Sequence, residues 1–263
     1  MKYIVVTGAR GGMGRESVKR LTELGYIVFA LDNSEAWDGE RVIPIVTDVT
    51  NSESVRGAAE KIAEITNEIF AIVHFAGVYR LDSLVEMSED RFVSTFDINL
   101  FGVYRINKAL LPLLRQGSRI VITTSELAPL DPLPFTGIYA ITKSALEKYA
   151  YSLRMELQLL GISVTVLRPG AVKTALLNAS KRELDEFVEK TEIYKCNAKR
   201  FKRIVESVEA KNVEPCKVAL TLGKIISAKR PRYLYNLNRN PLLRLLNALP
   251  KKVQTKIISI ILK

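Results

Sequence analysis

Short, continuous apolar runs alternate with amphipathic segments of helical period along most of this chain. Residues 3–6 form the first run, Tyr3-Ile4-Val5-Val6, and residues 16–25 follow with Val18, Leu21 and Leu24 on one face and Gly25 as a stop. The pattern repeats: a strand at 26–31, a strand at 42–46 and helix at 52–66, a strand at 69–75 and helix at 89–114. A strand at 119–124 and helix at 139–160 come next, then strands at 163–167 and 233–235. Strands that are apolar throughout, rather than at every second position, are covered on both faces. The pattern therefore predicts an α/β protein with one doubly wound parallel sheet of about seven strands, a single domain over residues 1–263.

Beyond residue 174 the apolar runs thin out. Residues 175–212 read as charged amphipathic helices, including Lys181 to Lys190 and Lys195 to Arg203, and Glu214-Pro215 starts a helix with Val218, Ala219, Leu222, Ile225 and Ile226 on its buried face. Residues 241–263 stand apart. Pro241 opens one leucine-rich helix, and Pro250 separates it from a second rich in isoleucine and lysine. Such helices pack within the chain, against a second subunit, or flat on an anionic membrane.

Charge sharpens this division. The chain carries a net +11, yet residues 1–180 hold 19 Lys or Arg against 20 Asp or Glu, whereas residues 181–263 hold 20 against 8. An anionic partner would meet the C-terminal third. The tail has no base-stacking platform or recognised reading motif, which argues against nucleic acid. Two cysteines, Cys196 and Cys216, and a single histidine, His74, build no metal site and read as free thiols of a reducing compartment. The first apolar run is too short for a signal peptide and no stretch reaches the length of a membrane span, so a cytoplasmic location, with membrane association through the tail as the variant, is expected.

The chemistry begins at residue 7. Thr7-Gly8-Ala9-Arg10-Gly11-Gly12-Met13-Gly14 joins a strand to a helix, where backbone amides approach a pyrophosphate and the helix N-terminus favours negative charge. Asp32 ends the second strand about 20 residues on, placed to accept hydrogen bonds from ribose hydroxyls and to repel a 2′-phosphate, which favours NAD over NADP. Arg10 is a cation in the same turn and reads as a solvated side chain. Tyr139 and Lys143, four apart, share one helix face, so that the ammonium can lower the phenol pKa and make it a general acid or base.

The order of these motifs resembles the short-chain dehydrogenase/reductase family over residues 1 to about 175, with a hydroxysteroid and retinol dehydrogenase-like flavour in the basic apolar C-terminus. The glycine turn matches at Gly8, Arg10, Gly12, Met13 and Gly14, the acidic residue at Asp32, the adenine-contacting pair at Asp48-Val49, and the backbone beside the cofactor at Ala76-Gly77. Asn99, Ser125, Tyr139 and Lys143 match the catalytic residues, and Pro169-Gly170, Val172 and Thr174 the segment beside the nicotinamide. The resemblance implies a Rossmann-type fold, a helical substrate lid over 175–212, and a homodimer or homotetramer. It also implies roles: Ser125 stabilises the reacting oxygen, Tyr139 exchanges its proton, Lys143 holds the nicotinamide ribose, and Asn99 organises a relaying water.

Two positions depart from the family. His74-Phe75 stands where Asn-Asn is usual, and His74 reads as a structural substitute with a satisfied ring. Ser125 precedes Tyr139 by 14 residues, one more than is common, so Thr124 is a fallback hydroxyl, and Glu126 faces either substrate or solvent. The expected function is NAD-dependent interconversion of a secondary alcohol and a ketone on an apolar, steroid-like or lipid-like substrate. An NADP-dependent carbonyl or 3-oxoacyl reductase and a non-catalytic dinucleotide sensor are the alternatives.

Overall fold

Strand β1 (Tyr3–Thr7) lies mid-sheet because its residues pair on both sides: Val6 opposes Ala30 of β2 (Ile27–Asp32) and Val73 of β4 (Ile69–His74). Outside β2 runs β3 (Val42–Val46); outside β4 run β5 (Leu114–Thr123), β6 (Ser163–Pro169) and β7 (Leu234–Leu237). All seven are parallel, in the order β3-β2-β1-β4-β5-β6-β7, in this computed structural model, which describes residues 1–34 and 39–263. The order reverses between β1 and β4, so a crevice opens beyond their carboxyl ends, the usual ligand position in a Rossmann-type sheet.

Successive strand residues point to opposite faces, and both faces are dry. Val5, Phe29, Ile72 and Ile122 pack beneath α2 (Ser52–Ile65), α4 (Gly102–Leu110) and α5 (Gly137–Leu157). Val6, Val28, Val73 and Val121 pack beneath α1 (Gly12–Glu23) and α8 (Pro215–Ser227) through Val18, Leu21, Leu222 and Ile225. Each such aliphatic side chain contributes roughly 1.5–3 kcal/mol on leaving water. Arg119 crosses the second face as a buried cation: its Nη1 donates to the carbonyls of Ile225, Ile226 and Ala228 at 2.9, 2.7 and 3.0 Å, answering the free carbonyls at the end of α8.

Several boundaries differ from the sequence pattern. Helix α1 begins at Gly12 because the glycine turn itself supplies its first turn. The apolar periodicity over 89–114 predicts one helix, but α3 (Glu89–Phe96) and α4 are joined by a π turn, Asp97–Phe101. Strand β5 starts at Leu114 rather than at 119, with an irregularity opposite Ile69 and Ala71 that the hydrophobic pattern hides.

The region beyond β6 builds a third apolar cluster. Helices α6 (Ala175–Lys190) and α7 (Lys195–Glu209) close over Phe135, whose ring lies 4.9 Å from Phe187 and 5.2 Å from Phe201. The tail forms α9 (Pro241–Asn247) and α10 (Lys251–Leu262). Leu262 enters this cluster, the Asn197 amide donates to its carbonyl at 2.7 Å, and Leu243 reaches the cavity described below. No helix among the described residues is long and apolar enough to cross a membrane.

Candidate active site

The glycine turn leaves a cradle that side chains would fill. Gly8 has φ +66°, and a Cβ there would lie 2.5 Å from the Ala76 nitrogen and 2.7 Å from the Phe75 carbonyl carbon. Gly12 abuts Thr174, Gly14 abuts the Gly8 carbonyl, and Met13 reaches the cavity. No side chain caps the N-terminus of α1, whose first amides therefore remain available to an anion. These features fit a dinucleotide pyrophosphate.

At the far end of the cradle Asp32 Oδ2 accepts the Arg10 backbone amide at 2.9 Å. The Arg10 side chain is not simply solvated: its guanidinium donates to the Ser34 hydroxyl, two residues beyond Asp32. Asp48 shapes the entry to α2, with Oδ1 accepting the Thr50 amide and hydroxyl at 2.9 and 2.7 Å. Val49 follows it and packs on Gly102.

On the other side of β4, Asn99 is fully buried within the π turn. Its Oδ1 accepts the Val78 amide at 2.8 Å, while Nδ2 donates to the Val78 carbonyl at 3.0 Å and to Thr142 Oγ1 at 3.1 Å. The side chain thus clamps the Gly77-Val78 backbone. A Cβ at Gly77 would stand 3.1 Å from Asn99 Oδ1 and 3.6 Å from Lys143 Nζ, so Gly77 is the narrow point between the two.

Tyr139 and Lys143 sit in the first turns of α5, both buried. Lys143 Nζ lies 5.8 Å from the Tyr139 ring centroid and donates to the Thr123 carbonyl at 3.1 Å. Burial dominates both pKa values: it pushes the Tyr139 phenol up to about 12, against the pull of the Ser125 hydroxyl, and the Lys143 ammonium down to about 8. The expected lowering of the phenol by Lys143 is not among these causes; the Glu126 charge adds to the rise. Ser125 emerges just past β5 and lines the same cavity as Tyr139 and Lys143. The Thr124 hydroxyl instead points to Glu147 Oε2 at 3.5 Å, and Glu147 is paired with Arg168.

His74 Nε2 lies 2.8 Å from Asn107 Oδ1, and Asn107 Nδ2 donates to the Tyr149 hydroxyl at 3.1 Å. Burial lowers the His74 pKa to about 4, keeping the ring neutral in a structural chain of hydrogen bonds. Glu126 lines the same cavity and is turned from bulk solvent: it is buried, and Oε2 accepts the Asn240 amide at 2.6 Å, docking the tail.

The cavity holds about 160 Å³ and, beside Ser125, Tyr139 and Lys143, its walls include Leu133, Leu177, Phe201, Ile204, Val205 and Leu243. Two residues in it have no signal in the sequence. Tyr79 meets the Tyr139 ring edge-on at 4.6 Å, and Glu209, at the end of α7, is a buried carboxylate.

A profile described as short chain dehydrogenase matches residues 2–185. The chain belongs to the short-chain dehydrogenase/reductase family. As a member it is an NAD(P)-dependent oxidoreductase acting on CH–OH groups. This short-chain dehydrogenase is 29% identical to 3-ketodihydrosphingosine reductase of Bacteroides thetaiotaomicron over 233 residues, covering 88% of this chain and 86% of the relative. It is 34% identical to estradiol 17-beta-dehydrogenase 2 of Mus musculus over 187 residues, 66% of this chain but only 49% of that protein. Among solved structures, the ligand-free aldohexose dehydrogenase of Thermoplasma acidophilum superposes with a TM-score of 0.76 at 20% identity, covering 95% and 96% of the two chains, which supports the shared fold.

Proposed function

We propose that this enzyme interconverts a secondary alcohol and a ketone on an apolar, steroid-like or lipid-like substrate, using NAD, with Tyr139 as the general acid and base. The observation that carries the reading is the convergence of Ser125, Tyr139 and Lys143 on a cavity whose remaining walls are largely aliphatic and aromatic. An apolar substrate fits those walls, and a carbonyl is what the three polar groups together can polarise. The relative that matches nearly end to end is named for a sphingosine ketone, which supports the lipid end of the range.

In the reductive direction Ser125 hydrogen-bonds the carbonyl oxygen as negative charge develops, and Tyr139 gives it a proton. A phenol held near pKa 12 keeps that proton at neutral pH, so donation to an alkoxide is favoured over abstraction from an alcohol. Lys143, between Gly77 and the Thr123 carbonyl, holds the nicotinamide ribose and supplies positive charge beside the phenol. Asp32 accepts from the adenosine ribose; the glycine cradle and Thr174 hold the rest. The bound nicotinamide dinucleotide supplies or takes the hydride.

The Arg10–Ser34 contact favours one second reading. A guanidinium and a hydroxyl beside Asp32 are the groups a 2′-phosphate would recruit, so NADP use stands as the alternative. Steady-state rates with NADH and NADPH on long-chain ketones and hydroxysteroids test both: preference for NADH is expected, and preference for NADPH overturns the cofactor assignment. The outward apolar residues of α9 and α10 complete the reading, as contacts for a second copy or for a membrane surface.

A further inference from the structure

The proposed reaction uses neither of the two carboxylates that line the cavity, Glu126 and Glu209. Glu209 closes α7, is 4% exposed, and neither of its oxygens has a hydrogen-bond partner among the described residues. Glu126 differs, since Asn240 occupies it. A buried carboxylate left without donors costs a few kcal/mol or more, so a chain that keeps one in an apolar cavity holds it for something that enters.

Its neighbours describe the entrant. Tyr79 feels the Glu209 charge strongly enough that its phenol is held further above its ordinary range, and the Tyr79 ring lies edge-on to Tyr139 at 4.6 Å. Glu209, Tyr79 and Tyr139 line the same cavity. Burial raises the Glu209 pKa to about 7, Lys181 draws it down, and Glu206 adds to the rise. Two unpartnered carboxylate oxygens are matched poorly by a hydroxyl, which brings one donor and no charge. An ammonium brings three donors and the opposite charge.

Building on the reading of this cavity as the substrate site, we propose that Glu209 is the subsite for a cationic amine carried by an otherwise apolar substrate. Glu209 thus determines specificity, and the substrate class narrows to long-chain amino ketones and amino alcohols.

Isothermal titration calorimetry with dodecylamine and 1-dodecanol at pH 7.5, on the wild-type protein and Glu209→Gln, tests this without turnover. Wild type should bind dodecylamine roughly 10-fold or more tightly than dodecanol, the range for a hydrogen bond to a charged group. Glu209→Gln should erase that preference and leave dodecanol affinity within about 2-fold, because the amide keeps the shape and loses the charge. Equal binding of the two probes by wild type, or a preference that survives Glu209→Gln, overturns the proposal; equal binding would assign the site to a hydroxyl. Should the variant not fold, the wild-type preference must fade as pH falls through about 7, with Lys181, Glu206 and Tyr79 as the other titratable groups facing Glu209. A preference independent of pH overturns the assignment. The oxidoreductase reading fails separately, on turnover by Tyr139→Phe.

Discussion

The Glu126 carboxylate accepts the Asn240 backbone amide at 2.6 Å, joining the residue after Ser125 to the residue that opens the C-terminal helices. Asn240 in turn caps α9 through its own side chain, and Leu243, one turn later, lines the cavity. The tail is therefore a wall of the substrate site. Glu126→Ala should cost about 1–3 kcal/mol through the orphaned amide and lost anchor. It should also expose the segment before α9 to protease and raise KM more than it lowers kcat. Unchanged urea unfolding and unchanged cleavage would show that the contact is incidental.

Tyr139→Phe removes the phenol that hydrogen-bonds Ser125 from the first turn of α5, and turnover should fall by roughly 10²–10⁴. The pH profile supplies an independent check. Lys143 loses its proton as pH rises through about 8, so ketone reduction should be level below that value and decline above it. Lys143→Met should flatten the profile at a lower rate. Stopped-flow single turnovers, which separate chemistry from release, are the suitable measurement.

His74 makes stability depend on pH. Its folded pKa, about 4, lies below the unfolded 6.5, so the unfolded chain binds the extra proton in that window. Stability is fully present above pH 6.5 and is lost as pH falls towards 4, with about 2 kcal/mol gone at pH 5. His74→Asn keeps a partner for Asn107 and removes the titration. The difference in urea-unfolding free energy between pH 7 and pH 5 should shrink accordingly.

Helices α9 and α10 present Leu242, Leu245, Ile260 and Ile261 to solvent at 50–69% exposure, with Arg244, Lys252 and Lys256 on the same two helices. Leu245→Ser with Ile260→Ser should weaken sedimentation with vesicles containing anionic lipid by roughly 10-fold or more, since each side chain buries about 1.5–3 kcal/mol of apolar surface. Light scattering should give the same mass for both proteins. A change of mass with unaltered vesicle binding would assign this face to a second subunit.

Much of this molecule is legible in its residues. Continuous apolar runs such as Ile4–Val6 and Ile120–Ile122, alternating with amphipathic helical segments, point to parallel strands covered on both sides, and a glycine turn followed by Asp32 points to a nucleotide before any fold is known. What stays hidden depends on who buries whom. Glu209 falls in a charged helix and reads as solvated, because its burial comes from the way α7 lies over the cavity, not from its own sequence neighbours. Glu126 is similar: its partner is 114 residues away. The Tyr139–Lys143 spacing correctly puts both groups on one face, yet spacing says nothing about how dry that face is, and dryness sets the two pKa values.

The π turn at Asp97–Phe101 gives the long helical segment one residue more than a regular α-helix would use. Removing any one residue there would let α3 and α4 fuse into a smoother helix with better hydrogen bonds. It would leave Val103, Ile106 and Leu110 facing the core, because the wide turn already absorbs the extra residue, but it would draw Asn99 away from Val78. A locally better helix would make a worse enzyme: the surplus residue lets the backbone bulge far enough for Asn99 to reach Val78 and Thr142 while both half-helices keep their packing.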